Sequence, residues 1–305
     1  MAGTLYILQA HPAAVLALDP DSGAVRTILD APDGVPDGIQ VDGSGGAIYW
    51  TNMGAWPDSG EGFFDADGAI ERCDLDGANH HILVGEGAIV TPKQLQYDAA
   101  GGHLYWCDRE GMAVLRCEAD GSGLTALLRT GTWPGDAGDV LRHCVGIAVD
   151  PHNRQLYWTQ KGPPDGGLGR IFRMGLDLPT GATAEARPDI ELLIDHLPEP
   201  IDLEIDHVRG QLYWTDRGDP ALRGNSVNRA DITPAGLTDH RVLAMGLAEG
   251  IGLALDLEHR RAFIGDLSGA IRVLPLDGGG MTTIHQCGAP VTGLAFVGGT
   301  HQAAA

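Results

Sequence analysis

An aromatic pair recurs along the whole chain, and this limits the fold more than any other feature. It stands in Ile48-Tyr49-Trp50-Thr51-Asn52, Leu104-Tyr105-Trp106-Cys107-Asp108, Leu156-Tyr157-Trp158-Thr159-Gln160 and Leu212-Tyr213-Trp214-Thr215-Asp216. Degraded copies are Ala262-Phe263-Ile264-Gly265-Asp266 and Leu5-Tyr6-Ile7-Leu8-Gln9. The aromatic positions lie 43, 56, 52, 56 and 50 residues apart, a period that belongs to repeat architectures.

Each copy but the first follows a short alternating strand that ends in Asp: 38–42, 94–98, 146–150, 202–206 and 252–256. The sixth such strand, Gly293-Leu294-Ala295-Phe296-Val297, stands near the C-terminus. The first copy lacks a strand ahead of it, so the last strand is expected to complete its sheet and leave no free inner edge. Third strands read at 70–73, 114–117, 171–174 and 227–230, and fourth strands at 81–84 and 190–194. Asp-Gly turns at 76–77, 120–121 and 277–278 suit tight hairpins. No window carries helical periodicity. The expected fold is all-β: one six-bladed β-propeller over 1–305, with four antiparallel strands per blade.

The bulk numbers agree with a large soluble core. Hydrophobic residues make up 43% of 305, and the 45 glycines are spread over the whole length, as many turns require. A formal net charge of −21 excludes the basic face of a nucleic-acid binder and is repelled by an anionic membrane. No apolar run is long enough to span a bilayer. The N-terminal segment has no basic stretch ahead of its apolar residues, and the five cysteines are scattered, so a cytoplasmic location is expected.

The Tyr-Trp-Thr-Asp core at 213–216 and its copies resemble the YWTD propeller of the low-density-lipoprotein-receptor family, over nearly the whole chain. The resemblance implies a six-bladed propeller that binds proteins across one face. The chain departs from the receptors in having no flanking cysteine-rich modules, so their extracellular role does not carry over with the fold.

The aromatic pairs and the strand-ending Asp residues read as scaffold, being spread evenly round the ring. Function is expected where the copies differ. Loops ahead of inner strands and loops after aromatic strands share one face. They gather Lys93, Lys161, Arg109 and Arg217 with Asp108, Glu110, Glu199, Asp202, Asp216 and Glu249. Mixed charges on a concave mouth are what acid–base chemistry needs. The expected catalytic set is Lys93, Asp108, Arg109, Glu110, Lys161, Glu199, Asp202 and Arg217. Glu199 or Asp202 would be the base, and Lys93, Lys161 or Arg109 would stabilise negative charge. The bland reading of the same residues is solvated loop charge and caps between blades.

Asn52, Gln94, Gln160 and His143 are candidate substrate contacts, and the long aromatic loops would add Trp56 and Trp133 as walls or as packing. Gln40, Gln96 and Glu204 replace alanine in three inner strands. Asp202 and Glu204 could hold water, a proton or a hard cation such as calcium or magnesium; no organic cofactor is expected. Cys144 beside His143 is a weak nucleophile candidate, and Cys73 and Cys117 read as buried apolar residues.

Two functions follow. One is a small-molecule enzyme for hydrolysis, elimination, cyclisation or isomerisation, by architectural analogy with propeller lactonases and strictosidine-synthase-like enzymes. The other is a non-catalytic scaffold whose acidic surface selects a basic protein partner. A deep pocket lined by Lys93, Lys161, Glu199 and Asp202 favours the enzyme, and a plugged channel with a broad apolar rim favours the scaffold.

Overall fold

Neighbouring residues on a strand point to opposite faces of the sheet, so a Tyr-Trp pair buries one ring on each side. In the computed structural model, which describes residues 3–30, 32–57 and 62–299, this is what builds the ring. Tyr49 lies in a core with Leu95 and Trp106 of the next blade, while Trp50 lies in a core with Tyr6 and Leu8 of the preceding one. Tyr105 meets Trp158, and Tyr157 meets Trp214. Ile264 takes the Trp place opposite Tyr213, and Ile7 takes it opposite Phe263. All four tryptophans of the motif are fully buried. Each is an interblade wedge whose loss would cost about 3–5 kcal/mol.

The six sheets have four antiparallel strands each. The inner strands are Pro36–Asp42 (blade II), Pro92–Asp98 (III), Cys144–Asp150 (IV), Glu199–Asp206 (V), Gly250–Asp256 (VI) and Val291–Val297 (I). The last of these pairs with Thr4–Ala10, setting Tyr6 opposite Ala295, so the C-terminal strand completes the N-terminal sheet as expected. Each inner strand packs against the inner strands of both neighbouring blades, and the ring is closed. The inner strands begin two residues earlier than their sequence pattern indicates, three in blade V, and the fourth strand of blade IV runs Glu191–Leu197. Two three-residue 3-10 turns, Val140–Arg142 and Pro220–Leu222, are the helical elements of the described residues.

Every inner strand of blades II to VI slips register against its partner just after its start, for example between Pro36 and Ile39 and between Pro200 and Leu203. A bulge re-aims side chains. Here it turns the second and third residues of each inner strand toward the axis and the next blade. The third residue is glycine in four blades because the next backbone lies against it. A Cβ on Gly146 would stand 1.7 Å from the Ile201 carbonyl oxygen, and one on Gly293 would stand 2.5 Å from that of Asp37. The motif threonines complete the seam. Thr159 Oγ1 accepts from Gly146 N at 2.7 Å and donates to Ile201 O of blade V at 3.3 Å. Thr215 repeats this with Asp202 N and Ile251 O.

Candidate functional site

The bulged positions are where the blades differ. The second inner-strand residue, counting blade V from Pro200, is Asp37, Lys93, Val145, Ile201, Ile251 or Thr292; the third is glycine except at Gln94 and Asp202. Opposite charges therefore stand on adjacent blades at the channel mouth. Lys93 Nζ forms an ion pair with Asp37 Oδ2 and lies 3.0 Å from Met53 Sδ. Gln94 Nε2 donates to the other Asp37 oxygen at 2.9 Å and to Thr292 O at 3.3 Å, which links blades I, II and III. Burial, opposed by Asp37, pushes the Lys93 ammonium below the usual lysine range.

The remaining mouth charges also pair. Arg109 Nη2 lies 2.7 Å from Glu110 Oε1. Lys161 Nζ of blade IV meets Glu199 Oε2 of blade V at 2.9 Å, while Asp165 N donates to Glu199 Oε1 at 3.0 Å. Arg217 pairs with Glu249 across blades V and VI. Lys93, Glu110, Glu199 and Asp202 are each 9% exposed or less. Six of the eight expected catalytic residues, all but Asp108 and Asp202, thus stand in ion pairs on one face.

The residues that end the aromatic strands have their polar atoms occupied by local backbone. Asp108 accepts from Val90 N and Thr91 N, at 3.0 and 2.6 Å. Asp216 accepts from Glu199 N at 2.7 Å and from the Trp214 indole at 3.0 Å; burial raises its carboxyl to about 8. Asn52 Oδ1 accepts from Val35 N, and its amide donates to Asp33 O and Glu71 Oε1. Gln160 donates to Arg142 O at 3.3 Å. His143 is buried with Nε2 2.8 Å from Ala137 O, and desolvation lowers its pKa. Desolvation raises the adjacent Cys144 thiol to about 12, far from the thiolate a nucleophile needs. Cys73 and Cys117 are buried.

Below the mouth, Asp202 accepts from Leu203 N and, across the blade boundary, from Leu253 N at 2.8 Å. Burial and the nearby Glu204 push its carboxyl well above the ordinary range. Glu204 reaches across the axis to Gln96 Nε2 at 3.1 Å, and burial raises it to about 7. It borders a cavity of about 90 Å³ with Gln40, Ala254 and Ala295. Among the described residues, no group of three or more His, Cys, Asp or Glu is placed to hold a metal ion.

Round the paired charges, apolar side chains face water on the loops of the same face. Trp56 is 65% exposed, and Phe64, Trp133, Leu141, Leu168, Leu222 and Leu267 are 36–52% exposed. The loops touch from blade to blade: Trp56 lies 5.9 Å from the His11 ring, and the Trp133 indole donates to Phe64 O at 3.2 Å. The sequence reading found the tryptophans but not the four leucines, and it set Pro36-Asp37 on this face without making Asp37 a site residue. Registering the six inner strands against one another would have exposed Asp37; leucines on Gly-Pro-rich loops carry no such signal.

No helix of the described residues is long and apolar enough to cross a membrane. No protein-family model matches the chain. It is 42% identical over 294 residues to a low-density lipoprotein receptor-related protein 1 of Pyricularia oryzae, covering 93% of this chain and 92% of that one. It is 38% identical over 255 residues to a 3-hydroxyacyl-CoA dehydrogenase-like protein of Cochliobolus heterostrophus, covering 80% of this chain but 52% of that protein, so it spans about half that relative's length. A chain from the crystal structure of a nidogen/laminin complex shares the fold, with TM-score 0.74 at 19% identity over 96% of this chain and 98% of that one. With the repeated motif, the closed six-blade ring and the Pyricularia relative matched over more than nine tenths of both chains, the chain belongs to the low-density-lipoprotein-receptor-related family of YWTD propellers.

Proposed function

We propose that the chain is a non-catalytic, protein-binding propeller that docks its partner on the loop-bearing face. One observation carries this reading: the charges at the channel mouth are tied up in pairs, and round them seven large apolar side chains face water on the loops of that one face. Exposed apolar groups of this extent on one face are what an interface core needs. The names of the relatives support it, as does the nidogen/laminin complex from which a fold neighbour comes. The five free, buried cysteines favour a reducing compartment, and we place the protein in the cytoplasm, with 1–305 acting as one domain.

The acid–base enzyme is the second reading, and the name of the Cochliobolus relative is its support. It would require Glu199 or Asp202 to reach a small-molecule substrate, and Lys161 to leave its carboxylate. The test compares two variant pairs. Proteins that co-purify with the wild type from its native cells are expressed and the complex is rebuilt from pure components. Leu168→Asp with Leu222→Asp is expected to abolish that complex, and Glu199→Gln to leave it intact. Turnover of a metabolite that Glu199→Gln or Lys161→Ala abolishes would overturn the scaffold reading.

A further inference from the structure

Nine acidic residues and no Lys or Arg stand between Arg26 and Arg72, in a chain that holds 20 basic residues in 305. Part of this stretch folds into a cavity of about 200 Å³ walled by Trp56, Phe63 and Phe64, with Asp65 and Asp67 beside the rings. Asp67 also borders a second cavity of about 330 Å³, which takes in Asp33 and Glu71. Trp56 and Phe63 meet edge to face at 6.3 Å.

The backbone beneath the phenylalanine rings is tied to neighbouring loops. Thr91 Oγ1 donates to Phe63 O at 2.6 Å, and the Trp133 indole fixes Phe64 O from the next loop. Asp67 Oδ2 accepts from Ala55 N at 2.9 Å and closes the loop base. The Phe64 ring lies so close across Gly62 that a Cβ there would stand 2.1 Å from it. Yet Trp56 and Phe64 stay more than half exposed. Exposed rings beside carboxylates select what can cover them. An apolar side chain laid over the rings would cover carboxylate oxygens of Asp65 and Asp67 without offering them a donor. A cation satisfies the ring faces and the carboxylates together.

We propose that this pocket on the blade II loop recognises an arginine or lysine side chain of the partner protein; the proposal rests on the protein-binding reading above. The flat guanidinium or extended ammonium chain would lie on Trp56 and Phe64 with its charge toward Asp65 and Asp67. A basic segment is also what a surface of net charge −21 attracts from solution.

The test titrates the full chain with a blocked pentapeptide, Gly-Gly-Arg-Gly-Gly, and with its citrulline twin, which has the same shape and no charge, by calorimetry and tryptophan fluorescence. The arginine peptide is expected to bind about tenfold more tightly than the citrulline one, and Trp56→Ala and Asp65→Asn each to remove about that factor. Both side chains face water, so the melting temperature of the variants checks that their fold is unchanged. Equal binding of the two peptides, no binding of either, or arginine binding that survives Trp56→Ala would overturn the proposal. Leu222→Asp separates the two readings. A partner complex that it abolishes, alongside absent peptide discrimination, keeps the scaffold and removes the cation pocket. Peptide discrimination with no partner complex keeps the pocket and removes the scaffold.

Discussion

Replacing Lys93 by methionine tests whether the mouth charges are structural. The lysine side chain is 11% exposed and its Asp37 partner 2%, so the pair sits almost wholly out of water. Lys93→Met keeps most of the apolar stem and removes the charge. Asp37 then remains buried with the Gln94 amide as its surviving partner at the mouth. Removing one member of a buried pair costs about 3–5 kcal/mol, because the other charge is left uncompensated. Against a typical domain stability of about 5–15 kcal/mol, that loss is large. Adding Asp37→Asn removes the stranded charge, and the double variant is expected to recover to within about 1 kcal/mol of the wild type. Guanidinium unfolding of the four proteins of this cycle gives the coupling directly. A Lys93→Met variant that loses less than about 1 kcal/mol, or two singles that simply add, would refute the structural account and return Lys93 to the catalytic candidates.

Gly146→Ala should destabilise by about 1–3 kcal/mol or more, since its Cβ has no room before the Ile201 carbonyl. Gly288→Ala, with nothing within 4 Å, should stay within about 0.5 kcal/mol by the same melts. Glu204→Gln should change the pH dependence of stability. The folded carboxyl titrates at about 7 against an ordinary 4.5, so only the folded state holds the proton between those values. Wild-type stability therefore falls relative to the variant as pH rises through that window and levels off above it; a constant difference would refute the assignment. Iodoacetamide at mildly alkaline pH should label none of the five buried thiols in the native state and all of them in denaturant; native labelling of Cys144 would revive it as a nucleophile.

The ring was legible because its determinants repeat. Each Tyr-Trp pair needs a wedge on both sides of its strand, and the missing strand ahead of Tyr6 pointed to Val291–Val297 across the whole chain. The face of the site was also legible, since loop positions follow from strand order. What stayed hidden was pairing. Lys93 and Asp37 are 56 residues apart and Lys161 and Glu199 are 38 apart, and they meet only because a bulge and the blade rotation bring them together. A loop charge that is free and one that is already neutralised look alike in a sequence. Asp108 and Asp216 look alike too, yet only Asp216 holds its own blade's indole.

The strand that completes the first sheet has a consequence in time. Tyr6 and Ala295 are opposite one another, so Thr4–Ala10 must wait until Val291–Val297 has been made before its sheet has an inner edge. Until then, Thr4–Ala10 offers a row of unpaired backbone groups to any other extended chain. A nascent propeller of this kind depends on being shielded, or on its other five blades assembling first. The finished ring, once clasped, has no outermost blade, because the pairing of Thr4–Ala10 with Val291–Val297 leaves every inner strand packed between two neighbours.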